Sequence, residues 1–445
     1  MIKPSYGVKE SNFKVTPRIV EAGAKSKIKI SPLGNSFAFD DSAYIIKFVP
    51  MELSSKTNFL TDYDTVRKNK CYGTYDTQRV VPSDGCIEFE YTFTYEQEWI
   101  LKISPEDNET FVLKLHIYSL EKDLFERYPY MGDFHSHSCC SDGADEPAVV
   151  AANYRKAGFD VMALTDHHVH SSSVQMIEAY KDVPVDIKLF KGEEVHITKM
   201  GGYMHAVSLG TERSITDYFN ENTEKCKAEI AELEKTLDVP EGVNSYECAF
   251  RTWIADRIHE FGGFAIIAHP YWITIDEYNM RPTVVKWLLE NNKYDALEAV
   301  SGQNVEENCL QATLYNELRA EGMKVPIVGS SDSHGTDPAC YFKMGKTVLF
   351  AKGELNFDSL KEAITGLYSV ALEYQNNESV RITGPYRMVK FTQFLLKYYF
   401  PKHDDLCVEE GIAMKNYFDK VPGAEETLKS VHGRTAKFRK EFYNR

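Results

Sequence analysis

The sequence predicts an α/β protein in three parts: a β-sandwich-like domain over residues 1–127, a barrel of seven β/α repeats over 128–370, and a helical extension over 371–445. Two observations support this division. Before residue 127, apolar and polar residues alternate with the period of two that is typical of half-buried strands. After Tyr130, short apolar runs alternate with amphipathic helical segments, which is the pattern of a parallel βα repeat.

The first domain contains five segments with strand periodicity, separated by Pro and Gly turns. These segments are residues 13–15, 27–30, 44–49, 86–93 and 111–118. Short alternating strands with frequent turn residues predict a small antiparallel sandwich.

Seven apolar runs predict the strands of the barrel: residues 131–134, 160–164, 187–190, 203–209, 264–268, 294–300 and 325–328. The helices predicted between them include residues 146–157, 214–237 and 246–261. Pro147 and Gly158 mark the two ends of the first of these helices. From about residue 375 the chain is helical and rich in aromatic residues. Their helical spacing favours packing onto a core over a partner-binding surface.

Bulk properties exclude several classes of function. The net charge of −15 argues against a protein that mainly binds nucleic acid or an anionic membrane. The longest apolar run is shorter than the roughly 20 residues of a membrane helix, and the first residues lack the apolar segment of an export signal. Nine cysteines without a repeating spacing indicate free thiols in a reducing compartment. We therefore expect a cytoplasmic protein without a membrane or a stable nucleic-acid partner.

The strongest chemical signal is the position of the histidines. Thirteen are present, and six stand at or near the ends of predicted strands, accompanied by carboxylates. The candidate metal ligands are His135, His137, Asp142, His167, Glu194, His205, His269, Asp332 and His334. In a parallel barrel the carboxyl ends of all strands open onto one face, so residues distant in sequence meet there. Imidazoles and carboxylates suit zinc, iron and manganese.

Spacing adds detail to this prediction. Residues two apart in an extended strand point the same way. His135 and His137 can therefore hold one ion together, and so can Asp332 and His334. The sequence predicts a centre of two to three divalent ions.

The motifs HSHSCCSDG, TDHH, GEE, MHAV, AHP and SDSH, in this order, resemble those of the PHP (polymerase and histidinol phosphatase) superfamily over residues 130 to 370. The resemblance implies a distorted (β/α)7 barrel and up to three metal ions. It assigns one ion to His135, His137, Glu194 and Asp332, a second to Glu194, His205 and His269, and a third to Asp142, His167 and His334. The spacing G-x-E favours Glu194 as the shared ligand, with the adjacent Glu193 as the alternative.

One branch of the superfamily is more similar. The leading β-rich region, the phrase MGDFHSHS and the segment VRITGPYRMVKFTQFLL resemble the carbaryl-hydrolase-like CehA/McbA group. This branch implies a β-domain before the barrel.

We expect a hydrolase in which a metal-bound hydroxide attacks a phosphoester of a small anionic substrate, such as a nucleotide or a sugar phosphate. His334 is the candidate assistant of the leaving group, and Arg387, Gln303, Asn304 and His196 are candidate substrate contacts. The alternatives are a carbamate or carboxylester hydrolase and a non-catalytic interaction module.

Overall fold

The computed structural model describes residues 8–34, 37–52, 75–108, 112–197, 204–274, 276–302, 304–337, 342, 344–374 and 380–445. The chain divides into two compact units. The first contains the residues up to Arg127 together with Ala436–Arg445, and the second is Tyr128–Thr435. In this division the residues from 371 to 435 belong to the second unit.

The described residues of the first unit form two β-sheets. Its strands are β1 (Phe13–Thr16), β2 (Ile19–Glu21), β3 (Lys25–Pro32), β4 (Tyr44–Pro50), β5 (Thr77–Val80), β6 (Ile87–Thr92), β7 (Gln97–Pro105) and β8 (Leu113–Leu120). A 3-10 turn (Glu10–Asn12) precedes β1, and a short helix, α1 (Lys122–Phe125), follows β8. One sheet has the order β1-β3-β6 and the other has the order β2-β8-β7-β4-β5.

Both sheets of the first unit contribute to one apolar cluster. Ile28 and Phe89 come from the first sheet, and Phe48, Leu101 and Leu115 come from the second. Alternation of buried and half-buried positions along β7 shows why the sequence signal here has a period of two. Among the described residues of this unit, the strand pairings are antiparallel except for β2 with β8, which is parallel and was not predicted. Phe111, the first residue of one predicted strand, lies outside the described residues.

The second unit is a mixed α/β structure, as predicted. Its strands are β9 (Arg127–Asp133), β10 (Val161–Ala163), β11 (Lys188–Phe190), β12 (Gly192–His196), β13 (His205–Leu209), β14 (Phe264–Ile267), β15 (Ile273–Thr274), β16 (Glu277–Tyr278), β17 (Ala296–Val300), β18 (Ile327–Gly329), β19 (Gly345–Lys352), β20 (Ser369–Glu373) and β21 (Arg381–Thr383). They form the sheets β11-β10-β9-β19-β20-β21 and β12-β13-β14-β17-β18 and the hairpin β15-β16.

The strand directions differ in part from a simple parallel repeat. Strands β9, β10 and β11 pair in parallel, and so do β14, β17 and β18. Strand β13 runs antiparallel to both of its neighbours, β12 and β14. Two isolated parallel bridges, Ser136 with Ser333 and His167 with Glu194, connect the two sheets just beyond the ends of β9 and β10.

Twelve further helices are described: α2 (Pro147–Lys156), α3 (Ser171–Glu178), α4 (Ile215–Glu221), α5 (Thr223–Thr236), α6 (Ser245–Glu260), α7 (Pro282–Glu290), α8 (Val305–Ala320), α9 (Phe357–Thr365), α10 (Tyr386–Tyr398), α11 (Phe400–Phe418), α12 (Ala424–Val431) and α13 (Arg434–Tyr443). Helix α2 begins with Pro147, as predicted, and the chain turns at Gly158, whose φ is +91°. The aromatic residues Phe391, Phe394 and Tyr399 of the C-terminal helices are buried, as their helical spacing predicted.

The core of the second unit explains its near-continuous apolar runs. Strands β13 and β17 are buried at every position, which is expected of strands covered on both faces. A charged side chain in such a strand therefore needs a specific partner. None of the described helices is both long enough and apolar enough to cross a membrane.

Candidate metal centre

The candidate ligands come from one edge of the second unit's strands. His135 and His137 follow β9, His167 follows β10, His269 follows β14, and Asp332 and His334 follow β18. Glu194 lies within β12, and Asp142 lies in the loop between β9 and α2. His205 is the first residue of β13. Because β13 is antiparallel to its neighbours, its beginning lies at the edge where the parallel strands end.

Glu194 is the centre of the site. Its Oε1 lies 2.6 Å from Nδ1 of His205 and 3.0 Å from Nε2 of His269. Its Oε2 lies 2.9 Å from Nδ1 of His167 and 3.2 Å from Nε2 of His135. One fully buried carboxylate thus contacts imidazoles that follow or begin four different strands.

Asp332 is the second shared carboxylate. Its Oδ1 lies 3.0 Å from Nε2 of His137 and 3.3 Å from Nε2 of His135. Its Oδ2 lies 3.9 Å from Nε2 of His269. The backbone of Asp332 has a φ of +47°, a conformation that residues other than glycine rarely adopt.

Asp142 forms the more open side of the site. It lies 3.3 Å from Nε2 of His334, 3.6 Å from Nε2 of His167 and 3.7 Å from Nδ1 of His137. The side chains of Asp142 and His334 are 53% and 39% exposed, so this part of the centre is accessible from solvent.

The nine residues form three groups whose ligand atoms lie within 4.8 Å of one another. We call them the inner group (His135, Glu194, His269, Asp332), the outer group (His137, Asp142, His167, His334) and the bridging group (His167, Glu194, His205). All nine predicted ligands are brought together; the sequence predicts two to three ions, and the number of ions stays a prediction. The membership differs, because His137 joins the outer group and His269 the inner one. The assignment of each residue to an ion stays a prediction.

The donor set fits divalent ions. Within the described residues, Nε2 of His135, Nδ1 of His137, Nδ1 of His167 and Oε2 of Glu194 are buried without a hydrogen bond. Buried polar atoms without hydrogen bonds cost free energy, and these come from three chain segments that converge on each other. Imidazole nitrogens and carboxylate oxygens at such distances suit zinc, iron and manganese.

The protonation of the acids also favours cations. Burial opposes the ionised form of Glu194, but the charge of His205 and of the other neighbouring imidazoles holds its pKa well below the usual range. Burial likewise opposes ionised Asp332, and His135 and His137 lower its pKa. Burial lowers the pKa of His137 itself. Ionised carboxylates are the forms that bind metal, whereas His135, His167 and His269, whose pKa values the neighbouring carboxylates raise against the effect of burial, must release their protons when an ion binds.

On the more open side of the site, the pKa values of His334 and Asp142 shift in opposite directions. Burial lowers the pKa of His334, but the hydrogen bond to Asp142 and the charges of Asp332 and Asp142 outweigh it and raise the pKa to about 9. The neighbouring imidazole His334 in turn lowers the pKa of Asp142 against the effect of burial.

Glu193 has a separate role. Its buried carboxylate accepts hydrogen bonds from the backbone N–H of Ile215 (2.9 Å) and Thr216 (3.2 Å) and from the hydroxyl of Ser214 (3.1 Å). It therefore caps the N-terminus of α4, where a negative charge is favoured. Because neighbouring residues of a strand point to opposite faces, Glu193 faces away when Glu194 faces the histidines.

Two buried acids around the centre were not predicted from the sequence. Glu298 on β17 contacts His135 and the backbone of His269. Asp133 at the end of β9 accepts hydrogen bonds from the backbone N–H of His135 (3.2 Å) and from the hydroxyl of Tyr154 (3.0 Å), and burial raises its pKa to about 6. The available signal was a single acid inside an otherwise apolar strand.

Of the predicted substrate contacts, His196 lies beside the metal centre, whereas Asn304 and Arg387 lie at the beginnings of helices. The ring of His196 lies 4.3 Å from that of His205, beside the centre. The side chain of Asn304 accepts a hydrogen bond from the backbone of Glu307 and caps α8. Arg387 lies in the first turn of α10, and Gln303 lies outside the described residues. Their roles in substrate binding stay predictions.

Trp272 is a further neighbour that was not predicted. Its ring lies 5.4 Å from the ring of His205 and 5.5 Å from that of His269, measured between centroids. It is half-buried, and it precedes the hairpin β15-β16. An aromatic side chain therefore borders the bridging and inner groups.

Two solved structures are similar to the chain: a two-domain protein from Bacteroides vulgatus containing a predicted PHP-like metal-dependent phosphoesterase, and an amidohydrolase from Chromobacterium violaceum with bound sulfate and no metal. The first is 17% identical with a TM-score of 0.39, and the match covers 55% of this chain and 65% of that one. The second is 20% identical with a TM-score of 0.32, and the match covers 46% and 88%.

No curated protein matches the chain. The family model of the PHP domain matches residues 133–365, which are more than half of the 445 residues and include all nine candidate ligands. This chain belongs to the PHP domain family.

Proposed function

We propose that this protein is a metal-dependent hydrolase that cleaves a phosphoester in a small anionic substrate. The observation that carries the proposal is the convergence of six histidines and three carboxylates into three overlapping groups of ligand atoms. Divalent ions bound there would lower the pKa of a water molecule and polarise the scissile group.

The protein's own residues have distinct tasks in this scheme. Glu194 and Asp332 hold the imidazoles of separate strands at fixed distances, so the centre is formed before substrate binds. Asp142 and His334 occupy the accessible side, where substrate arrives. Where the outer group binds an ion, Nε2 of His334 would be a ligand and the ion would assist the leaving oxygen; without that ion, His334, whose pKa is raised to about 9, carries a proton at neutral pH and can deliver it from Nε2. This positive charge also favours an anionic substrate.

The strand connections support a barrel of seven strands. Through the bridges Ser136–Ser333 and His167–Glu194, the strands β9, β10, β12, β13, β14, β17 and β18 follow one another in a ring. We infer that this ring is the distorted barrel of the PHP family, with β13 as its antiparallel member. The β-sheet unit that precedes it in the chain supports the CehA/McbA-like branch.

A carbamate or carboxylester hydrolase is the second candidate. Trp272 favours it, because an aromatic wall beside His205 and His269 suits a neutral, aromatic substrate.

The two candidates are separated by a substrate panel on protein with a measured metal content. We expect two or more ions per chain, and a kcat/KM for nucleoside monophosphates and p-nitrophenyl phosphate at least about tenfold above that for p-nitrophenyl acetate and naphthyl carbamates, a difference of about 1.4 kcal/mol in transition-state binding. The reverse order would replace the phosphoesterase with the second candidate. Full metal content without any turnover would favour a non-catalytic module.

A further inference from the structure

A buried carboxylate that belongs to none of the three ligand groups lies beside the inner one. Glu298 is fully buried on β17, a strand whose other side chains are buried and apolar. Burying an ionisable group in such a strand costs free energy unless it is hydrogen-bonded. The groups that form hydrogen bonds with Glu298 therefore indicate its role.

Both oxygens of Glu298 contact members of the inner group. Oε1 accepts a hydrogen bond from Nδ1 of His135 at 2.9 Å, and Oε2 accepts one from the backbone N–H of His269 at 2.9 Å. These two histidines follow different strands, β9 and β14. One side chain thus connects two of the four inner ligands.

The first contact selects the form of His135 that binds a cation. With its proton on Nδ1 and donated to Glu298, the lone pair of Nε2 points away from that carboxylate. Nε2 lies 3.2 Å from Glu194 and 3.3 Å from Asp332. Such a carboxylate–histidine pair fixes both the tautomer and the ring orientation of a metal ligand.

The second contact holds the backbone of His269 in place. The φ of His269 is +21°, which is unfavourable for a residue with a side chain. The hydrogen bond from its N–H to Glu298 stabilises this conformation, in which Nε2 lies 3.0 Å from Oε1 of Glu194. Loss of that bond would allow the ligand to turn away.

We propose that Glu298 is a positioning residue that sets the metal affinity of the inner group and leaves the outer group unaffected. It acts through His135 and His269, and neither belongs to the outer group. The inference rests on the proposed function only in so far as that function requires ion binding, and it holds for either class of substrate.

The test is Glu298→Gln, measured by titrating metal-free full-length protein with Zn²⁺ in a calorimeter and by competition with a chromophoric chelator. Glutamine has nearly the same shape, but only one of its two terminal atoms can accept a hydrogen bond. We expect one ion to bind about 10–100-fold more weakly, and the remaining ions to bind as in the wild type.

Glu193→Gln is the matched control. Glu193 is an equally buried carboxylate that accepts backbone N–H bonds, but its partners belong to α4. We expect this variant to melt at a lower temperature and to bind every ion with wild-type affinity. If Glu298→Gln does not fold, Glu298→Asp keeps the charge on a side chain too short to reach both partners, and the same selective loss is expected.

Three results would overturn the inference: unchanged affinities in the folded Glu298 variant, an equal loss at all ions, or the same loss in Glu193→Gln. The failure of the proposed function is a different result, because ions would then bind to the wild type without hydrolysis of any substrate. All readouts of the Glu298 test are made without substrate, so the two failures are distinguishable.

Discussion

Among single residues, Asp332 is the second shared carboxylate of the centre, after Glu194, and its loss removes contacts to three imidazoles. Its carboxylate lies within 3.3 Å of both His135 and His137. We expect Asp332→Asn to reduce kcat/KM more than about a hundredfold, since loss of an indirect partner of a metal ligand already costs 10–100-fold. The amide has nearly the same shape, so we expect the fold to persist in circular dichroism.

A matched control for Asp332→Asn is Glu410→Gln. Glu410 is also a buried acid, but it accepts its hydrogen bonds from the guanidinium of Arg155 and the backbone of Asp186. This variant should lose stability and keep its turnover. Turnover of Asp332→Asn within tenfold of the wild type would contradict the role given to Asp332.

Gly143 is a second position at which a single substitution should disturb the centre, because an added Cβ has no room in the loop next to Asp142. A Cβ at this position would lie 2.7 Å from the carbonyl carbon and oxygen of His137 and 2.8 Å from the nitrogen of Ser138, closer than Cβ atoms come in real structures. Gly143→Ala must therefore displace the loop that carries Asp142. We expect weaker ion binding at the outer group and unchanged binding at the inner group, measured by calorimetry.

Gly34→Ala is the control for the loop variant, because an added Cβ there meets no atom within 4 Å. We expect it to leave ion binding unchanged. The explanation would be wrong if Gly143→Ala bound all ions as the wild type does.

At the scale of elements, helix α11 carries a buried charge pair. His403 is fully buried, with Nε2 2.9 Å from Oδ1 of Asp160 and Nδ1 3.0 Å from Oδ1 of Asp404. Both ring nitrogens can donate only in the protonated imidazole. Burial lowers the pKa of His403, but the charge of Asp160 and other neighbours raises it well above its usual value.

This pair predicts a pH-dependent stability. The folded state binds the proton of His403 more tightly than the unfolded state, whose pKa is about 6.5. The stabilisation is therefore complete below about pH 6.5 and is lost as the pH rises through the folded value. Each unit of pKa elevation corresponds to about 1.4 kcal/mol.

We expect urea unfolding to show a free energy that falls above about pH 6.5 in the wild type. In His403→Gln this part of the pH dependence should vanish, so the difference between the two proteins isolates His403 from the histidines of the metal centre. Parallel curves for both proteins would contradict the assignment.

Elements with a strong local signal were predictable from the sequence. Pro147 and Gly158 mark the two ends of helix α2. A continuous apolar run predicts strand β17. The helix predicted over residues 214–237 is two helices, α4 and α5. They separate at Asn222, whose φ of −125° is not helical and whose side chain donates to the carbonyl of Tyr218. Asparagine competes for backbone hydrogen bonds in this way, which periodicity does not show.

Over the whole chain, the convergence of the candidate ligands was predictable, and their division among individual ions stays a prediction. The list follows from ligand residues placed at strand ends. The expected pairing of His135 with His137 rested on their spacing; Nε2 of each lies within 3.3 Å of Oδ1 of Asp332, and their assignment to one ion stays a prediction. The position of His205 depends on the direction of β13, which is a long-range property of the sheet.

The stability of the second unit should depend on bound metal. An ion that binds only the folded state stabilises it by about 2.7 kcal/mol at a hundredfold excess over Kd. For a unit of this size, each kcal/mol shifts Tm by about 2–4 °C. We therefore expect chelation to lower Tm by at least about 5 °C in calorimetry, and added Zn²⁺ or Mn²⁺ to restore it.

Asp332→Asn makes this test specific. Without its shared carboxylate, the inner group should bind its ion weakly, so the chelator should change Tm by less than in the wild type. The first unit contains none of the nine candidate ligands, so a calorimetric transition of that unit should stay in place on chelation. Equal melting of the wild type with and without metal would mean that the converging imidazoles and carboxylates hold no ion in the folded protein.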